Sequence, residues 1–487
     1  MTILRELSPV ITEEGSFDMR LFMYGVCAVM SSSLCVYAGE QQIAPALSAH
    51  DLFYACNYAL AHKACTQEIA QAYDEKLLHR LHIMRGQCDL SMGVDAYFAG
   101  DAPKAAAHFK GYWADFEHKL MQENVHNVPL WQVGDAVTNK TVCVIAGMGS
   151  DGFGDTAAFL KWIQPIKQSG ATKVLLYLDG HSLLNSVLSE PQTLETLGID
   201  AIHTRKKGPL PIADVYVPLM NLPARVNKDG LGMTTPDTVP LYDVPYIFPD
   251  TDAVAAWHVF IQKQVSSDPD IIPLAFNHSA STKATAGGVC AIDRTIECTS
   301  LVQAMTYNNK AFLLFVGGRD HYPVRESIYQ KLKSNGQLGS LEERDIVPDS
   351  FEILTAQHAD PTNLASEIIC KRDEKSGAPS DKKIIIVKDA QPFVDVQAVH
   401  HCCDKLAGLT ITADTATENF AGAGNYKTYL IMKKGPCRGR RWGSWPAQTW
   451  LFNAVTLIGE DDNGMSHVFD RVQQVIKESI AKSRSEA

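Results

Sequence analysis

No Cys-x-x-Cys pair and no metal-type cysteine spacing occurs in this chain, although it carries twelve cysteines. The nearest two, Cys402 and Cys403, are adjacent, a placement that rarely closes a disulfide. The set therefore reads as reduced thiols filling cores, the usage expected of a cytoplasmic protein. Positive charge is also short. Lys and Arg number 44 against 55 Asp and Glu, for a formal charge of -11 and a pI near 5.8. That balance argues against a nucleic-acid partner, because phosphate recognition normally needs a net basic surface. Nor is there a basic N-terminal start. The uncharged run Leu21–Gly39 (LFMYGVCAVMSSSLCVYAG) follows Glu6, Glu13, Glu14 and Asp18, so it reads as a buried helix rather than a membrane or export segment. Peripheral membrane contact is left open.

What is present is apolar content of 46% over 487 residues, enough for sizeable cores in about two to four domains. Residues 1–137 read as a helical N-terminal domain, with an apolar residue every three or four and no strand alternation. Within it LSMGVDAYFA, the turn Gly100-Asp101-Ala102-Pro103 and KAAAHFKGYWADF predict a helical hairpin of tetratricopeptide-like shape. From Thr141 the texture becomes α/β. The stretch TVCVIAGMGSDGFGDTAAFL (Thr141–Leu160) predicts a strand, a Gly-rich turn and a helix, whose start offers unpaired N–H groups to a ligand. Alternating strands and helices continue to Val217. A Pro-rich segment (Pro240–Asp250) and a helix (Thr251–Gln264) form a linker, and a second alternating block starts at Asp270. Two such blocks predict two similar parallel-sheet domains facing each other across a cleft. The expected divisions are 1–137, 138–264, 265–463 and a closing amphipathic helix at 464–487.

Local chemistry leaves alternatives. Gly147-x-Gly149-x-x-Gly152 fits a dinucleotide fingerprint, with Asp179 where a ribose-binding carboxylate would stand. Against an NAD(P)-dependent oxidoreductase, Asp155 intrudes at the helix start, where it would repel a pyrophosphate. Asp155 also suits a helix N-cap. The run Lys433–Trp442 (KKGPCRGRRW) is the one dense basic segment, suited to an anionic group or simply solvated.

Several motifs in order carry a resemblance: Gly152-Phe153-Gly154-Asp155-Thr156; Gly208-Pro209-Leu210-Pro211 with Asp214 to Pro223; Val244-Pro245-Tyr246; Asp293-Arg294-Thr295; Asp414-Thr415-Ala416-x-x-Asn419; and Arg441-Trp442. From Thr141 to the C-terminus the chain resembles the tetratricopeptide-repeat-linked branch of the family-9 glycosyltransferases, relatives of the heptosyltransferases with the GT-B fold. The resemblance implies a GT-B architecture with the acceptor in 138–264 and a nucleotide-sugar donor in 265–463. It also implies inverting transfer to a glycan or protein hydroxyl, with no metal and no cofactor beyond the co-substrate. Asp155 would be the general base. Gly152, Gly154, Thr156, Arg441 and Trp442 would lie on the acceptor or phosphate side. Asn277, Arg294, Asp414, Thr415, Ala416 and Asn419 would hold the donor. Two departures stand out: Asn419 replaces a common histidine, and Asn277–Gly288 lacks the usual Trp-Ala-Gly-Asn pattern. They keep a non-catalytic interaction scaffold in play.

Overall fold

The computed structural model describes residues 48–55, 57–122, 128–132, 134–147, 152–226, 239–265, 271–279, 294–307, 310–317, 322–356, 383–387, 393–433, 451–460 and 464–486. The apolar run Leu21–Gly39, the basic run from Lys434 onward with Arg441 and Trp442, and Gly149 and Asp293 lie outside these residues.

Helices come first: α1 (Ala49–Tyr54), α2 (Tyr58–Ile69), α3 (Glu75–Phe98) and α4 (Ala102–Gln122). Each of the first three starts on a side chain that accepts a first-turn N–H: Ser48, Asn57 and Asp74. α3 and α4 make the expected hairpin, but its turn is tighter than the sequence implied. Gly100 takes φ +78°, Asp101 accepts the Lys104 N–H at 3.1 Å, and Ala102 and Pro103 already belong to α4. Pro is tolerated there because its missing N–H would have had no helical partner. Asp115 is buried between the two helices and is held by His82 at 2.7 Å and by Arg85 at 2.6 and 2.8 Å.

The α/β region is a mixed fold with two all-parallel sheets, consistent with the GT-B expectation. β1 (Thr141–Ala146), α5 (Phe153–Phe159), a tight turn of helix at Leu160–Ile163, α6 (Gln164–Gln168) and β2 (Lys173–Leu178) open it. There follow α7 (Asn185–Leu188), α8 (Pro191–Leu197), β3 (Ala201–Thr204), β4 (Val215–Pro218) and α9 (Leu222–Val226). The sheet order is β3-β2-β1-β4. Val142 stands beside both Val174 and Val215. β1 is buried along nearly its whole length, as a parallel strand covered on both faces must be. Its sheet also reaches back into the segment expected to be helical. Leu130 bridges Tyr216, and the Trp131 N–H donates to the Tyr216 carbonyl at 2.8 Å.

α10 (Thr251–Val265) leads to β5 (Ile271–Asn277), α11 (Cys298–Thr306), β6 (Lys310–Phe315), β7 (Val324–Arg325), α12 (Glu326–Ser334), β8 (Ile346–Val347), β9 (Glu352–Ala356) and β10 (Lys383–Val387). α13 (Val394–Lys405), β11 (Leu409–Ala413), α14 (Ala416–Ala423), β12 (Thr428–Met432), β13 (Val455–Gly459) and α15 (Met465–Glu486) complete it. The larger sheet runs β13-β12-β11-β5-β6-β10-β9, and β7 and β8 pair separately. One buried apolar cluster runs without a break from Val144 and Leu176 of the first sheet to Phe312 and Val399 of the second half. No helix among the described residues is long and apolar enough to cross a membrane.

Candidate functional site

In each sheet, one pair of neighbouring strands marks where the chain reverses its direction of winding: β1 and β4 in the first, β5 and β11 in the second. Ligands of open parallel sheets bind beyond the carboxyl ends of strands at such points.

At the second reversal Asn277, the last residue of β5, stands beside Thr412 of β11 and is 3% exposed. Its Nδ2 donates to Thr415 Oγ1 at 3.2 Å and Thr417 Oγ1 at 3.0 Å. Its Oδ1 accepts the Ser279 N–H at 3.0 Å. Thr415 caps α14, with its hydroxyl accepting the Thr417 N–H at 3.1 Å. Glu418 reaches back to the Thr415 N–H at 2.6 Å, a reciprocal cap. Glu418 is fully buried, and burial, then the nearby Asp414 charge, pushes its carboxyl well above the usual carboxylate range. Asn419 Nδ2 donates to Glu418 Oε1 at 2.7 Å and to the Thr415 carbonyl at 3.1 Å. Its buried Oδ1 meets no hydrogen-bond partner among the described residues. Arg294 pairs with Asp414 at 3.2 Å. The expected donor residues Asn277, Arg294, Asp414, Thr415, Ala416 and Asn419 thus meet at one sheet edge.

At the first reversal β1 is followed by Gly147, φ +81°. A Cβ on Gly147 would lie 2.9 Å from the Gly180 nitrogen and 2.9 Å from His181 Cγ. The glycine is needed for its own chain's close approach, the tight-turn role that a dinucleotide fingerprint also gives its first glycine. The Gly152 N–H, free for a phosphate in that fingerprint, donates instead to Asp155 Oδ2 at 2.9 Å. Asp155 is therefore the third residue of α5 reaching back over the turn, not the N-cap residue that was the structural alternative; Gly152 holds the cap position. Asp179, the expected ribose ligand of the oxidoreductase reading, lies 3.6 Å from Arg205. Thr156 Oγ1 and His181 Nδ1 share a hydrogen bond of 2.7 Å.

The two edges touch. A Cβ on Gly154 would come within 2.8 Å of Asn419 Nδ2 and 3.0 Å of Ala416 Cα, so the starts of α5 and α14 are in contact. Tyr246 ties them together: its N–H donates to the Ala423 carbonyl of α14 at 2.8 Å, and its hydroxyl donates to the Ala157 carbonyl of α5 at 3.0 Å. This accounts for the Val244-Pro245-Tyr246 motif. Just past α5, the fully buried Lys161 donates through Nζ to the Leu451 carbonyl of the second half, over the ring of Phe452 at 4.4 Å. Burial holds its amine well below the ordinary lysine range. Sequence reasoning overlooked His181 and Lys161, and named Tyr246 only within the Val244-Pro245-Tyr246 motif. For His181 the only signal was Asp179-Gly180 closing β2. For Lys161 nothing in the sequence separates it from a surface lysine.

No protein-family model matches this chain, and no curated protein does. Solved structures do match, among them the glycosyl transferase family 9 from Veillonella parvula DSM 2008. That likeness has a TM-score of 0.40 at 10% sequence identity, covering 72% of this chain and 99% of that one. A likeness at this level is silent on chemistry.

Proposed function

We propose that this chain is an inverting, metal-independent glycosyltransferase of hexosyl or heptosyl type. Its nucleotide-sugar donor sits at the β5/β11 edge and its acceptor hydroxyl, on a glycan or protein, at the β1/β4 edge. The observation that carries the reading is the contact between the starts of α5 and α14: Gly154 lies against Ala416 and Asn419. The helix that carries Asp155 thereby meets the helix that follows the polar turn of the other sheet. In the reaction, Asp155 takes the proton of the acceptor hydroxyl as its oxygen attacks the anomeric carbon. The sugar–phosphate bond breaks, and the nucleotide leaves with the bonding pair. Arg294 and the α14 N-terminus offset that departing negative charge. Arg294 must then exchange Asp414, its partner at 3.2 Å, for the donor phosphates.

The test is a thermal-shift panel of UDP-, GDP-, ADP- and CMP-sugars beside NAD(P), followed by nucleotide release with added acceptors. A nucleotide-sugar at a hundred times its Kd should stabilise the chain by about 2.7 kcal/mol. Asp155→Asn should abolish transfer while keeping that shift. Stabilisation by NAD(P) alone, or full transfer by Asp155→Asn, overturns the reading. One observation favours a non-catalytic scaffold as second reading. The Thr415 and Thr417 N–H groups that would meet a phosphate are already taken by Glu418 and Thr415. A chain that no nucleotide-sugar stabilises would be that scaffold.

A further inference from the structure

Next to Asp155 is a buried histidine that the transfer described above does not use. His181 is 7% exposed. Its Nδ1 shares the 2.7 Å hydrogen bond with Thr156 Oγ1, and its ring lies 4.6 Å from the ring of Phe153. Phe153 and Thr156 lie on either side of Asp155 in the first turn of α5, so one imidazole grips that turn at both ends. The grip depends on two glycines. A Cβ on Gly180 would stand 2.7 Å from the Gly147 carbonyl oxygen, and one on Gly147 would stand 2.9 Å from His181 Cγ. Only without those side chains do the ends of β1 and β2 approach closely enough to set the imidazole over Thr156. Phe153 continues the contact into the second half through Phe393 at 5.4 Å, which stacks on Phe420 of α14 at 4.4 Å.

We infer that His181 is a positioning residue for Asp155, acting through its hydrogen bond to Thr156. The inference rests on the reading of Asp155 as the base. The bond can run in either direction, hydroxyl to Nδ1 or Nδ1–H to hydroxyl. In both cases it fixes the Thr156 rotamer and with it the first turn of α5. A turn freed to shift by a fraction of an ångström moves the carboxylate off the acceptor hydroxyl, a loss of order tenfold to a hundredfold in kcat. The donor residues keep their own network around Asn277 and Thr415, which does not include the His181–Thr156 bond.

Two substitutions separate bond from packing. His181→Phe keeps the ring against Phe153 and removes the bond. His181→Asn removes the ring and places an amide atom near the Nδ1 position. The expected result is a kcat loss of tenfold or more for His181→Phe, recovery to within about threefold of native in His181→Asn, and unchanged donor affinity by calorimetry in both. Thr156→Val should match His181→Phe, and the double variant His181→Phe/Thr156→Val should be no worse than either alone, because both remove one interaction. Native kcat in His181→Phe, no recovery in His181→Asn, or additive losses in the double variant overturns the inference. Asp155→Asn run in parallel keeps the two ideas apart. If it is inactive while His181→Phe is fully active, only the role of His181 fails. If it stays active, or the native chain transfers from no nucleotide-sugar, the reading of the base falls and this inference with it.

Discussion

Replacing Gly154 by Ala tests whether the two halves touch where transfer needs them to. The added Cβ would sit 2.8 Å from Asn419 Nδ2 and 3.0 Å from Ala416 Cα, where carbon atoms prefer about 3.5–4.0 Å. The Asn419 amide is held by Glu418 and the Thr415 carbonyl, and Ala416 Cα is backbone, so neither neighbour can simply rotate away. Two effects compete. Alanine is better than glycine in a helix by about 0.8–1.0 kcal/mol, and overpacking of this kind costs roughly 1–3 kcal/mol. The clash should win, with a net loss of about 1 kcal/mol, which for a domain of this size class lowers Tm by about 2–4 °C. If the helices separate to relieve it, kcat falls about tenfold or more, because base and donor move apart. Thermal melts and a transfer assay on the full chain measure both. Gly100→Ala is the control: it carries strain at φ +78° but has nothing within 4 Å of its Cβ position, so it should lower Tm and leave turnover alone. A Gly154→Ala protein with raised Tm and native turnover would mean that α5 and α14 are not in contact, and the reasoning about the site would fail.

Two buried ionisable groups predict opposite pH slopes of stability. The Glu418 pKa is raised in the folded chain, so the fold keeps a proton that the unfolded chain releases above about pH 4.3. The associated stability is present below that value and lost as pH rises through the folded one. Glu418→Gln should flatten urea-melt stability between acid and neutral pH, and parallel slopes in the two proteins would refute this. The Lys161 pKa is lowered by burial, so native stability should rise with pH toward the unfolded value of about 10.4. Lys161→Met should remove that rise. At still higher pH it should be weaker than the native chain by about 1–3 kcal/mol, because the Leu451 carbonyl loses its donor. A native chain with no alkaline rise would count against the burial of Lys161.

Much of the α/β texture was legible because the strands that matter are short apolar runs bounded by turn residues: Thr141–Ala146, Lys173–Leu178, Leu409–Ala413. The misses have local causes. The run His181–Glu190 does not form one helix but a tight turn followed by Asn185–Leu188. There Ser189 Oγ bonds the Asn185 carbonyl at 2.6 Å, a side chain competing with the helix ladder. β9 (Glu352–Ala356) mixes polar residues into a short strand, and β13 follows a Gly- and Trp-rich run that hid it. The strand-like pairing of Leu130 with Tyr216 was masked by the helical texture before it, since an edge contributes only a few residues to any pattern. In the candidate site, Asn277, Arg294, Asp414, Thr415, Ala416 and Asn419 were expected through a resemblance, and the fold brings them together. His181 and Lys161 were not expected, because their partners Thr156 and Leu451 lie far away in the chain, and Tyr246 was named only as part of a motif.

The glycines of Thr141–Leu160 show why pattern alone could not choose between a dinucleotide turn and the start of a transferase site. Gly147, Gly152 and Gly154 look alike in sequence, yet the space beside each is used differently. Gly147 yields to Gly180 and His181, a Cβ on Gly152 would lie 3.2 Å from Asp155 Oδ2, and Gly154 yields to Ala416 and Asn419. In a dinucleotide turn the second glycine leaves room for the pyrophosphate and the third for a packed strand. Beside Gly147 and Gly154 the space is filled by the chain itself, once from the neighbouring strand end and once from the other half of the molecule. The residues that fill it stand at 180–181 and 416–419, beyond the reach of any local motif. Substitutions at Gly147 and Gly154 should therefore fail for different reasons: the first by displacing His181 within one sheet, the second by parting the two sheets. Only the second should alter how the halves meet.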